Sequence, residues 1–87
     1  MAYKLEVFHK AQKEVSTFPR SIQVKVSEAI DRLKEDPRPA GYRKLIGTEL
    51  FRVRVGRYRI VYAIDDTARL VIVLKVTHRN EDNYNRL

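Results

Sequence analysis

The chain has no cysteine among its 87 residues. That excludes a disulfide framework and any thiolate metal site, and it fits a reducing, cytoplasmic setting. Glycine and proline are scarce, at three each. Three scattered glycines cannot build a phosphate-cradling loop. The longest apolar run, residues 70–74, is far too short to span a bilayer, so no membrane partner is expected. The opening MAYKLEVFHKAQKEV lacks the apolar stretch of a secretory signal. The two histidines, His9 and His78, lie far apart with no carboxylate at metal-ligand spacing, so neither a metal nor another cofactor is expected. Ser16, Ser21 and Ser27 fall in helical segments without the sharp strand-to-helix elbow of a hydrolase nucleophile.

What the chain does have is positive charge. Eighteen lysines and arginines oppose 11 acids, for a net charge of +7. The excess sits in the second half: residues 1–40 carry +2 and residues 41–87 carry +5. Between Tyr42 and Arg59 there are six bases (Arg43, Lys44, Arg52, Arg54, Arg57, Arg59) and one acid, Glu49. A basic face on a small domain suggests a polyanionic partner, although charge of this size also serves solubility.

The hydropathy pattern predicts one α+β domain over residues 1–87. Residues 3–8 (YKLEVF) alternate as a first strand, with Leu5 and Val7 on one side. Phe8, Ala11, Val15 and Phe18 then recur at helical spacing. Pro19 opens a second helix with an apolar stripe of Ile22, Val26, Ala29, Ile30 and Leu33, and Pro37 and Pro39 stop it. Residues 40–48 read as a loop, followed by strands over 49–55, 57–64 and 69–77. Gly56 and the DDTA segment supply tight turns, so these strands form an antiparallel meander. Two layers result, with both helices on one sheet face.

Alternation places Val53 and Val55 on one side of the meander and Arg52 and Arg54 on the other. In the next strand Tyr58, Ile60, Tyr62 and Ile64 oppose Arg59, Val61 and Ala63. The apolar sides meet the helices, which leaves Arg52, Arg54 and Arg59 converging on the uncovered face. Arg57, beside the turn, is compatible with either side. Such a face is open to two readings. Arginines are common on solvated outer sheets. Yet no acid interrupts this set between Glu49 and Asp65, and like charges facing across strands are destabilising without an anion. Three guanidiniums with bidentate geometry make a phosphate clamp. The end of the last strand would bring His78, Arg79 and Tyr84 to the rim of that face. A metal-free cationic cleft of this kind suits RNA cleavage in which the 2′-hydroxyl attacks the adjacent phosphorus.

Four segments in order resemble the RelE/ParE superfamily of toxins: MAYKLEVFHKAQKEV, PRSIQVKVSEAI, KLIGTELFRVRVGRYRIVYAID and VIVLKVTHRNEDNY. The resemblance implies a RelE-like fold and the toxin of a type II toxin–antitoxin pair. Its partners would be a cognate antitoxin, in a hetero-oligomer, and the ribosome with its mRNA. By the same resemblance Arg52, Arg54, Arg59 and Arg79 grip the scissile phosphate, Tyr84 aligns or deprotonates the 2′-hydroxyl, and His78 assists. Arg43, Lys44 and Arg57 would be peripheral RNA or ribosome contacts. Two features depart from the RelE pattern. Arginine at positions 52 and 54 replaces lysines of some members and cannot accept a proton, and the interval from Arg79 to Tyr84 is slightly shorter. ParE-like members share the fold but poison DNA gyrase by protein–protein binding. That is the alternative function, together with a non-catalytic RNA-binding relic.

Overall fold

The computed structural model of the protein describes residues 2–78. The chain runs β1 (Lys4–Val7), α1 (His9–Ser16), α2 (Arg20–Glu35), β2 (Arg43–Lys44), β3 (Phe51–Val55), β4 (Tyr58–Asp65) and β5 (Leu70–His78). The five strands form one sheet in the order β1-β5-β4-β3-β2. All pairings are antiparallel except β1 with β5, which is parallel. The expected meander of β3, β4 and β5 is therefore the middle of a wider sheet. One addition was unforeseen: Arg43–Lys44, inside the segment read as a loop, pairs with Arg52 and Phe51 as a short edge strand.

The helices follow from their apolar spacing. Ala11 of α1 and Val26, Ile30 and Leu33 of α2 are buried against Ile60, Tyr62, Val71, Val73 and Val76 of the sheet. Phe8 is the extended N-cap of α1 and not part of its buried stripe. Its N–H donates to the Val73 carbonyl at 2.9 Å, continuing the β1–β5 ladder, and its ring stays 44% exposed. The end of α1 is closed by side chains: the Thr17 hydroxyl donates to the Glu14 carbonyl at 2.7 Å and the Ser16 hydroxyl to the Lys13 carbonyl at 2.6 Å. They add to the backbone closure of the last turn, where the Thr17 N–H also donates to the Glu14 carbonyl at 3.1 Å. Pro19 is the N-cap of α2, where a missing N–H costs nothing, and α2 ends at Glu35, two residues before Pro37. No helix among the described residues is long and apolar enough to cross a membrane.

Two polar ties fasten the DPRP segment to the sheet. The hydroxyl of Tyr62, fully buried, donates to the Pro37 carbonyl at 2.7 Å. Arg38 grips both carboxylate oxygens of Asp66 at 3.3 and 2.8 Å, and Tyr3 donates to the same carboxylate at 2.7 Å. These donors, Arg38 first and then Tyr3, hold the Asp66 carboxyl below the usual aspartate range. A depressed carboxyl stabilises the fold above its unfolded pKa, and that contribution is lost as pH falls through the folded value. Asp66→Asn is therefore expected to flatten the acid limb of stability. In melting experiments at pH 6 and pH 3, the variant should lose less on acidification than the parent chain.

Candidate nucleic-acid interface

The arginine face is built by strand register. In the β3–β4 hairpin Val55 faces Tyr58 across a turn whose first central residue, Gly56, has φ 59°, as a type II′ turn requires. Counting back from that turn, Arg54 lies directly opposite Arg59, Val53 opposite Ile60 and Arg52 opposite Val61. Val53, Ile60, Phe51 and Tyr62 thus face the helices, while Arg52, Arg54 and Arg59 share the other side. At the sheet edge Arg43 lies directly opposite Arg52 and joins the same face. Four guanidiniums are gathered on three adjacent strands.

Their environments differ. Arg59 is buried, at 6% exposure, between Arg54 on β3 and Thr77 on β5. Arg54 is exposed and Arg52 half-buried. The Arg52 guanidinium is pushed below its ordinary pKa by burial first and then by Arg54, Arg59 and Arg43. It remains charged at any physiological pH, so the shift marks an unfavourable setting, partial burial first and neighbouring like charge second. Among the described residues, none of Arg43, Arg52 and Arg54 pairs with a carboxylate. The Thr77 hydroxyl, shut away from solvent beside Arg59, has no hydrogen-bond partner among the described residues. The arrangement can bind a phosphate and stabilise negative charge, and its arginines cannot move protons.

The other expected residues are placed unevenly. Arg57 sits in the exposed turn after Gly56. Lys44 lies opposite Phe51, out of the cluster, with Glu49 3.8 Å away. His78, expected at the rim of the arginine face, is on the helix side. It lies opposite Tyr58 with its ring edge-on at 4.8 Å, and Tyr58 in turn packs on Phe18 at 4.4 Å. The reason is a bulge in β5: Tyr62 faces Val73, Val61 faces Lys75, and Leu74 is the extra residue between them. Past the bulge the alternation is inverted, so Val76 and His78 turn toward the helices while Lys75 and Thr77 turn toward the arginines. Uninterrupted alternation from Val71 and Val73 would have put Lys75 on the helix side. A lysine in phase with Val71 and Val73 was the available signal. Arg79 and Tyr84 lie outside the described residues.

A two-helix layer on a five-stranded mixed sheet is the fold this chain shares with a solved toxin–antitoxin chain. The chain belongs to the RelE/ParE family of type II toxin–antitoxin toxins: the family described as "ParE toxin of type II toxin-antitoxin system, parDE" matches residues 5–83. Among particular relatives, RelE1 of Methanocaldococcus jannaschii is 30% identical over 83 residues, covering 91% of this chain and 92% of that protein. Toxin RelG of Mycobacterium tuberculosis is 36% identical over 90 residues, covering 99% and 100%. The toxin–antitoxin complex RelBE2 of M. tuberculosis contains a chain that superposes with a TM-score of 0.81 at 28% identity, over 91% of this chain and 100% of that one.

Proposed function

We propose that this toxin is a ribosome-dependent endoribonuclease that cuts translated mRNA. The observation that carries the proposal is the cluster of Arg43, Arg52, Arg54 and Arg59 on one sheet face, set by the strand register. Isolated, such a cluster costs stability, and a bound phosphodiester would offset that cost. In the reaction the substrate's 2′-oxygen bonds to the adjacent phosphorus, the bond from phosphorus to the 5′-oxygen breaks, that oxygen takes a proton from solvent water to leave as a hydroxyl, and the arginines neutralise charge on the pentavalent phosphorus. The 2′-hydroxyl proton must go to a group other than arginine. Tyr84 is proposed for that role, and Arg79 as a fourth phosphate ligand beside Arg52, Arg54 and Arg59. The placement of His78 beside Tyr58 supports no direct part for it. The resemblance to the chain in the RelBE2 complex supports an antitoxin as partner, and a protein of opposite charge suits the +7 chain.

The test is cleavage of mRNA on programmed ribosomes by the purified protein, with 5′ ends mapped and naked RNA as control. New ends within translated codons are expected, and intact messages would overturn the proposal. A second reading, poisoning of DNA gyrase, is favoured by the ParE description of the matched family. It predicts inhibited supercoiling by purified gyrase together with intact mRNA.

A further inference from the structure

The bulge at Leu74 does more than turn His78 away. It sets Lys75 opposite Val61, which Arg52 flanks from the other side. Arg52 and Lys75 are therefore two strand spacings apart, about 10 Å. Arg59 lies opposite Thr77, so Lys75 is its diagonal neighbour on the same face, at about 7–8 Å between Cα atoms. Val61 is fully buried although it faces away from the helices. A lysine stem can lie along such an apolar floor while its ammonium reaches solvent. Among the described residues no carboxylate pairs with Lys75. The cationic face thus continues from β2 to β5 as a row: Arg43, Arg52, Val61, Lys75.

The bulge is itself held by a side chain. Val76, the second residue past Leu74, donates its N–H to Glu14 Oε1 at 2.8 Å. The other carboxylate oxygen accepts from Lys10 at 2.6 Å. A helix carboxylate, fixed by its own ion pair, serves the amide beside the irregular stretch of β5. Without that acceptor the Val76 N–H loses its partner and the irregular stretch of β5 is held less firmly, so Lys75 is no longer fixed on the cationic face.

We propose that Lys75 is a further nucleic-acid contact, holding the phosphate next to the one gripped by Arg52, Arg54 and Arg59, and that Glu14 is the positioning residue that keeps it there through the Leu74 bulge. The inference rests on the RNA-cleaving reading above. Lysine fits the task because a compact charge on a flexible stem holds a phosphate without fixing its orientation. The reacting phosphate, by contrast, meets planar guanidiniums.

The experiment measures binding of the full-length protein to a single-stranded RNA carrying 2′-O-methyl groups, which cannot be cut, over salt from about 50 to 200 mM. Each lost phosphate contact lowers the slope of log K against log salt by about 0.7. Lys75→Gln is expected to lower it by that amount, Glu14→Ala by the same, and the double variant by no more than either. Glu14→Gln keeps an oxygen able to accept the Val76 N–H and is expected to retain the parent slope. Arg54→Ala serves as the reference. If it lowers the slope and Lys75→Gln does not, the Lys75 contact is overturned while the RNA-cleaving reading stands. If neither lowers it, the Lys75 contact is overturned, and cleavage on programmed ribosomes alone decides the RNA-cleaving reading. An unchanged slope in Glu14→Ala, or an equal loss in Glu14→Gln, overturns the positioning role.

Discussion

Arg54→Ala is expected to slow mRNA cleavage on the ribosome by about 10²–10³-fold, the usual cost of deleting one preorganised donor to a transition-state anion. The same variant should melt at or above the temperature of the parent chain. Arg54 is exposed and faces Arg59 directly across the β3–β4 pair, so its removal relieves a like-charge contact without opening a cavity. Loss of activity with gain of stability is a combination that damage to the fold cannot produce. Arg59→Ala is a poorer probe. With the side chain at 6% exposure, truncation removes packing as well as charge. Single-turnover cleavage and a thermal melt on the same preparation check the prediction. Undiminished cleavage by a folded Arg54→Ala would remove Arg54 from the site.

The largest effect on stability is expected at Tyr62. Truncation of a buried aromatic to alanine costs about 3–5 kcal/mol. A chain of this length has about 4–13 kcal/mol in total. Tyr62→Ala is therefore expected to be largely unfolded or close to it, as urea titration would show. Tyr62→Phe keeps the ring but leaves the Pro37 carbonyl without its 2.7 Å donor, at a cost of about 1–3 kcal/mol. The hydroxyl also makes the fold sensitive to alkali. Burial, the main cause, pushes the Tyr62 phenol up to about 12. The unfolded chain ionises near the ordinary tyrosine value of about 10. The proton is held more tightly when folded, so this contribution is complete below pH 10 and is lost as pH climbs toward 12. Tyr62→Phe should lack that part of the alkaline decline, measured as the change in urea midpoint between pH 9 and pH 11.

Much of this was legible in the order of residues, for local reasons. Pro19 and Pro37 bracket α2 because proline cannot lie inside a helix. Gly56 marks the hairpin, and from that one turn the alternation of FRVRV and YRIVY assigns every side chain to a face. The arginine cluster is a consequence of counting from a known corner. What escaped is non-local. Nothing in YKLEVF says that β1 pairs in parallel with β5, a partner more than sixty residues away. Arg43–Lys44 is too short to announce itself as a strand and exists because Arg52 and Phe51 offer it an edge. The bulge in β5 has no glycine to flag it. The carboxylate that meets the Val76 amide beside it, Glu14, is on another element, so a reading confined to β5 carries the alternation one residue too far and exchanges Lys75 with His78.

That exchange bears on how functional roles pass between members of the family. Two chains aligned letter for letter through β5 are comparable in space only if both carry the additional residue at the place of Leu74. Where one lacks it, every later strand position points to the opposite side of the sheet, and a histidine shared by both chains would meet solvent anions in one and the hydrophobic interior in the other. In this chain, the parity of a single strand sets which of its later side chains share a face with the arginines.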